Sequence, residues 1–296
     1  MNSVRDPKRV HAIDRLQRIQ QHLTASAQAQ TPEPEYASTC FFPSNFYLDV
    51  PVISVKQETS TTKIITFGLP KGKSLQHPVS SCIMMQGHDS AAKPFNPITP
   101  PDQIGSFSLC IKIYADTGEL SGAVSRFAGE LTVGDSVGFC QFKGNIKPFQ
   151  YPFDHVKKIT MLCTGTGVTP HFQALLPLLR TKGETTEIRL LYSNLSSDDI
   201  PLKKELISLQ ASSQGRLKVT FVVEQSTRDA GWYETGRIDT DIITRFAFAA
   251  NELNSVVWVC GVPKFYEAMA GSRFDPMASD CVLAKLGYTE SQLWRS

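Results

Sequence analysis

Apolar and polar positions follow two different rhythms along this chain. Between about residues 46 and 142, short runs rich in Val, Ile, Thr and Phe alternate with turn residues: YLDVPVISVKQ, TTKIITFGL, VSSCIMMQG, FSLCIKIYA and DSVGFCQF. Such runs predict strands, with turns in LPKGKS and TVGDS around Gly72 and Gly134. GAVSRFAGEL is one short helix among them. Several short strands at this spacing predict a closed or nearly closed antiparallel β-barrel.

From about residue 157 the rhythm lengthens. KKITMLC, TEIRLLYS, RLKVTFVV and SVVWVC read as strands. TPHFQALLPLLR, DIPLKKELISLQ, TDIITRFAFAA and VPKFYEAMA read as helices between or after them, the first with Phe172, Leu175, Leu176 and Leu179 on one face. Strands alternating with helices predict an open parallel sheet covered on both faces. KPFQYPFDHV marks the junction. The chain therefore reads as a two-domain β + α/β protein: an arm and linker over 1–45, a barrel over 46–150 and an α/β domain over 151–296.

Two stretches fit neither rhythm. In residues 1–36, Val10, Ile13, Leu16 or Gln17, Ile19 and Leu23 form one helical stripe beside Arg5, Lys8, Arg9, Arg15 and Arg18, followed by the linker ASAQAQTPEPE. A peripheral arm and a transit or membrane-surface helix both fit it, although Asp6 and Asp14 count against the transit reading. AAKPFNPITPPD (residues 91–102) has no periodicity, and its four prolines hold the backbone extended around Lys93, Phe95, Asn96 and Thr99.

Composition narrows the function classes. The 296 residues carry a formal net charge of +2, with 41% hydrophobic and 20% charged residues, which gives no electrostatic case for nucleic acid. No apolar run approaches the roughly 20 residues that span a bilayer. The first residues lack the apolar segment of a secretory signal. Seven cysteines are scattered without a C-x-x-C pair and six histidines do not cluster, so neither a metal site nor a disulfide framework is supported. The expectation is an intracellular protein, cytoplasmic or attached to a membrane or mitochondrion through residues 1–36.

Several clusters carry potential chemistry. In CTGTGVTP, Gly165 and Gly167 let a backbone approach a ligand, Thr169 reads as an N-cap and Pro170 as a first-turn residue. The stretch is neither a P-loop nor G-x-G-x-x-G, and a plain structural turn fits it equally. CGVPKF repeats the arrangement with Cys260, Gly261 and Pro263, and a buried core thiol is the simpler account of Cys260. Ligands of open α/β sheets bind beyond such strand ends. In YSNLSSDDI, Asn194 begins the loop and Asp198 or Asp199 either caps the next helix or accepts from a ribose diol, which would favour NADH over NADPH. Lys112 and Tyr114 share a face, and Ser125 with the start of its helix, together with Lys93, would suit a diphosphate.

The order of these motifs resembles the NADH-cytochrome b5 reductase branch of the ferredoxin reductase-like flavoproteins, over roughly residues 46–294. KPFNP is similar to R-P-Y-[ST]-P, CIKIY to V-I-K-V-Y, GAVS to G-x-x-S, TGTGVTP to G-G-[ST]-G-[IV]-T-P and CGVP to C-G-P-P. LGYTESQLW resembles the family's ending, with Ser296 in place of the usual final aromatic. The resemblance implies an FAD-binding barrel followed by an NAD-binding α/β domain, with hydride passing from NADH to FAD and single electrons to a haem protein such as cytochrome b5. It places Phe95 against the isoalloxazine and Asn96 near its reactive edge. Lys93, Lys112 and Ala123–Ser125 would hold the pyrophosphate. Cys110, Ile111, Tyr114, Gly122 and Val124 complete the matched FAD motifs. Thr166 would sit by flavin and nicotinamide, and Cys260 would face the hydride-transfer region. Gly165, Asn194, Asp199, Gly261, Val262, Pro263 and Phe265 would line the NADH path.

The departures from the pattern have chemical content. Lys93 for Arg keeps charge but loses bidentate geometry on phosphate. Phe95 for Tyr loses a hydroxyl, and Asn96 replaces Ser or Thr. Thr164 stands for a glycine and Val262 for a proline. Weaker FAD retention is expected. Two other readings stay open: an NAD(P)H reductase with a quinone or iron–sulfur acceptor, and a redox-inactive binding module that keeps the fold.

Overall fold

Alternation builds the first sheet. In β2 (Thr62–Gly68) Ile65 and Phe67 turn inward, and in β5 (Ser106–Lys112) Phe107, Leu109 and Ile111 do the same. Together with β1 (Leu48–Gln57), β3 (Ile83–Gln86), β4 (Ala92–Phe95) and β6 (Ser136–Gln141) they form one antiparallel sheet in the order β4-β3-β6-β1-β2-β5. Its two edges meet at a bridge between Pro97 and Leu109, where Ile98 N–H donates to Ser108 O at 2.9 Å. The sheet thus closes into the expected barrel. Phe42, Phe67, Phe107 and Phe139 fill it, with ring centroids 4.8 to 5.5 Å apart. Each buried ring of this kind contributes about 1.5–3 kcal/mol. Helix α1 (Ala123–Glu130) lays Val124 and Ala128 on the same core.

The computed structural model describes residues 40–88, 91–114, 123–145, 147, 149–153, 155–225 and 231–296. The expected N-terminal helix, its linker and Gly122 lie outside the described residues. Among the described residues no helix is long and apolar enough to cross a membrane.

The second sheet is parallel throughout: β7 (Lys158–Thr164), β8 (Glu187–Asn194), β9 (Leu217–Val223), β10 (Glu234–Thr235), β11 (Ser255–Cys260) and β12 (Leu293–Arg295), in the order β10-β9-β8-β7-β11-β12. Successive residues feed opposite faces. Met161, Cys163 and Trp258 pack with Phe172 and Leu175 of α2 (Val168–Arg180) and Leu206 of α3 (Lys203–Ser212). Leu162, Val257 and Val259 pack with Ile242 of α4 (Thr240–Phe246), Phe265 and Met269 of α5 (Pro263–Met269) and Leu283 of α6 (Val282–Lys285). Both faces are covered, which is why the strands read as nearly continuous apolar runs. The first of these cores takes in Ile98 and Cys110 from the barrel, so the domains share buried apolar contact.

Some boundaries differ from the expectation. Helix α2 begins at Val168 after a 3-10 turn over Gly165–Gly167, and Thr169 Oγ1 donates to Thr166 O at 2.9 Å instead of capping. Helix α3 begins at Lys203, not at residue 199, because Leu202 turns left-handed (φ 58°) and the Asp199 carboxylate is engaged elsewhere. Helix α4 stops at Phe246, short of residue 250. Strand β3 starts only at Ile83, since Ser80 is itself left-handed (φ 60°). The short strands β10 and β12 carry too few residues for a periodic signal.

Candidate functional site between the barrel and the open sheet

Strand β7 is followed in sequence by β8 on one side and flanked by β11 on the other, so the order of strand addition reverses beside it. The crevice beyond the carboxyl ends of such strands is the ligand position of open α/β sheets. Here the two strand-end turns touch. A Cβ on Gly167 would lie 2.5 Å from Cys260 O and 3.0 Å from Gly261 Cα. One on Gly261 would lie 2.5 Å from Thr164 Oγ1 and 2.8 Å from Phe265 Cδ1. Only glycine permits this approach at either position, and Gly165 adds a left-handed turn at φ 52°.

Polar atoms at the same strand ends have no partner. Thr164 Oγ1, at the end of β7, and Asn194 Nδ2, at the end of β8, are buried without a hydrogen bond. Buried polar groups left so are uncommon and suit a ligand that supplies the partner. Val262 is 54% exposed, Pro263 opens α5 and Phe265 is buried behind them. Burial pushes the Cys260 thiol above its ordinary value, against the opposing fields of Arg273 and Lys147. A protonated thiol at this place can orient a ligand and is a poor nucleophile. Lys147, which the sequence pattern did not single out, is pushed down to about 8 by burial first and by Arg273 second.

The barrel presents a complementary wall. Lys93 and Phe95 share one face of β4, and Lys93 Nζ lies 5.8 Å from the ring centre of Tyr114, itself 45% exposed. Burial lowers the Lys93 pKa. On β5, Ile111 points into the barrel, whereas Cys110 points into the core shared with the α/β domain. Val124 and Ser125 are buried at the start of α1, with Ala123 half-buried before them. Strand β5 packs directly on the Gly165–Gly167 turn, bringing the FAD motifs of the resemblance against its NAD motifs.

Two expected ligand contacts are occupied by the protein. Asn96 Nδ2 donates to Ser80 O (3.2 Å) and Ser81 O (3.0 Å), while Cys82 Sγ donates to its Oδ1 at 3.4 Å. That leaves the amide no hydrogen for a further acceptor. Asp199 accepts from the hydroxyls of Thr59 and Thr61 and from Lys112 Nζ, so it neither caps α3 nor stands free. Asp198, beside it, is exposed.

A flavin and a dinucleotide suit these features: a glycine cradle at a strand-order switch, unpartnered buried polar atoms beside it, and a half-buried aromatic and lysine on the facing wall. Comparison with known proteins agrees. Family models for the oxidoreductase FAD-binding domain and the oxidoreductase NAD-binding domain match residues 49–151 and 161–271. NADH-cytochrome b5 reductase 2-A of Vanderwaltozyma polyspora is 30% identical over 268 residues, covering 88% of this chain and 87% of that protein. NADH-cytochrome b5 reductase 2 of Kluyveromyces lactis is 29% identical over 266 residues, covering 87% and 86%. The cytochrome b5 reductase domain of Ulva prolifera nitrate reductase superimposes with a TM-score of 0.73 at 26% identity, covering 87% of this chain and all of that domain. The chain belongs to the cytochrome b5 reductase and ferredoxin reductase-like family of FAD/NAD flavoproteins, an oxidoreductase fold built for electron transfer.

Proposed function

We propose that this protein oxidises NADH with FAD as its resident cofactor and delivers the electrons singly to a small haem protein such as cytochrome b5. The observation that carries the reading is the close approach of Gly167 to Cys260 and Gly261 beside the wall of β4 and β5. Two planar rings would face each other between that turn and that wall. When bound, FAD supplies the change from a two-electron donor to single electrons.

The chain's residues bind, orient and exclude water. Phe95 offers an apolar face to the flavin ring, with Asn96 holding the strand that carries it. Lys93 and the start of α1 at Ala123–Ser125 receive the diphosphate. Thr166 and the neutral Cys260 thiol lie where the nicotinamide would be oriented. Thr164 Oγ1 and Asn194 Nδ2 take partners from the dinucleotide. The haem acceptor rests on the names of the relatives, two of them NADH-cytochrome b5 reductases.

The test is spectroscopic. NADH added anaerobically to the FAD-loaded protein should bleach the flavin band, and oxidised cytochrome b5 added next should be reduced. No bleaching would overturn the reading. Bleaching without cytochrome reduction would overturn the acceptor alone.

A further inference from the structure

Gln173 is a fully buried polar residue on α2, about 7.5 Å along the helix axis from its first residue. Every hydrogen bond of its side chain crosses to the barrel domain. Its Oε1 accepts the backbone N–H of Ser80, and its Nε2 donates to Pro97 O at 3.1 Å and to His77 Nε2. The chemistry sets the amide orientation, because only oxygen can accept from Ser80. Burial holds His77 neutral, pushing it down to about 3 against the Gln173 contact, so its ring can serve as that acceptor.

The contacts continue toward β4. Ser80 Oγ donates to Pro170 O at 3.0 Å, which ties the same loop to the first turn of α2. Ser80 is left-handed at φ 60°, a conformation that is unfavourable for a non-glycine residue and persists only where neighbours impose it. Its carbonyl and that of Ser81 then receive both amide hydrogens of Asn96. Pro97, the next residue, is the one that Gln173 holds directly. The helix therefore grips the end of the flavin-facing strand by two routes.

We propose that Gln173 is a positioning residue: through Pro97 O, and through Ser80 to Asn96, it sets the placement of Phe95 and Asn96 relative to the helix whose start forms the dinucleotide turn. A merely apolar contact would hold the domains together without fixing this register, since burial is non-directional. The inference rests on the FAD and NADH reading above and names the residue that aligns the two rings within it.

The test uses the full chain, FAD-loaded and FAD-free, with Gln173→Leu, Gln173→Glu and Ser80→Ala. Gln173→Leu removes all three contacts. Gln173→Glu keeps the acceptor for Ser80 and loses the donors, and Ser80→Ala removes only the bond to Pro170. In FAD-free protein, the amides of residues 80–82, 92, 93, 95 and 96 should exchange faster in both Gln173 variants. In loaded protein the visible circular dichroism of the flavin should change. The limiting rate of flavin reduction by NADH should fall roughly ten- to a hundredfold in Gln173→Leu, with half-saturation moving less than about twofold. Gln173→Glu should show a smaller fall of the same kind, and it carries the test if Gln173→Leu does not fold. A wild-type limiting rate and wild-type dichroism in the folded Gln173 variants, whatever their melting temperature, would overturn the role of Gln173. A wild-type chain whose flavin NADH does not reduce would overturn the functional reading instead.

Discussion

Lys112 Nζ lies 3.1 Å from Asp199 Oδ2, across the interface between the barrel and the open sheet. The family pattern assigns these two residues to different cofactors, yet in the fold they pair with each other. The hydroxyl of Thr61 also donates to Asp199, at 2.8 and 2.9 Å, and Leu202 N–H donates to Glu58 at 3.2 Å nearby. The group is a clasp between domains.

Asp199→Asn should loosen that clasp. The Asp199 side chain is 15% exposed and that of Lys112 31%, so solvent screens part of the pairing. The expected loss is about 1–2 kcal/mol at neutral pH, measured by urea unfolding. Burial alone would raise the Asp199 carboxyl, but Thr59, Thr61 and Lys112 together hold it below its ordinary value. A depressed folded pKa gives stability that is present above the unfolded value and lost as pH falls through the folded one. The difference between wild type and Asp199→Asn should therefore shrink below about pH 4. A difference that is constant down to pH 2 would exclude the clasp as the cause.

Donor choice should then depend on Asp198, which is exposed, more than on the engaged Asp199. NADH is expected over NADPH because a 2′-phosphate would meet this carboxylate. Asp198→Ala should raise kcat/KM for NADPH relative to NADH by roughly fivefold, the worth of a charge repulsion of about 1 kcal/mol. Steady-state kinetics with both donors decide it, and an unchanged ratio would remove Asp198 from donor recognition.

Gly167→Ala tests the cradle. The added methyl would meet backbone at 2.5 Å, which cannot swing aside as a side-chain end can. Overpacking of this kind costs about 1–3 kcal/mol. A lowered melting temperature in FAD-free protein, with loss of NAD+ binding by calorimetry, is the expected result. Unaltered NAD+ affinity would mean that the close approach serves packing only.

Lys93→Arg and Phe95→Tyr address FAD retention. Arginine would offer the diphosphate two parallel donors where lysine offers a point charge. Tyrosine would add one hydroxyl hydrogen bond, worth about 0.5–1.5 kcal/mol, or roughly two- to tenfold in affinity. Fluorescence titration of FAD-free protein should show each variant binding FAD more tightly than wild type. Equal affinities would show that the native pair does not limit retention.

Much of this arrangement was legible in sequence, and for identifiable reasons. The short Ile-, Thr- and Phe-rich runs of β2 and β5 and the continuous apolar runs of β7 and β11 follow from which faces are buried. Glycines 165, 167 and 261 are legible because strand-end turns need glycine, Gly165 for its left-handed backbone and Gly167 and Gly261 for an approach that excludes a Cβ. Gln173 did not stand out: a single glutamine in TPHFQALLPLLR gives no sign that it is buried. Ser80, Thr59 and Thr61 were equally silent, because their partners lie far along the chain.

Local spacing and residue type carry the two domains, their strand rhythms, the glycine turns and the family to which they belong. What the polar side chains do between the domains is set by how the chain packs in three dimensions. That packing paired Lys112 with Asp199, spent the Asn96 amide on the loop of Ser80 and Ser81, and set Gln173 against Pro97. A hydrogen bond needs a partner at about 3 Å, and which groups come that close depends on how one domain docks on the other.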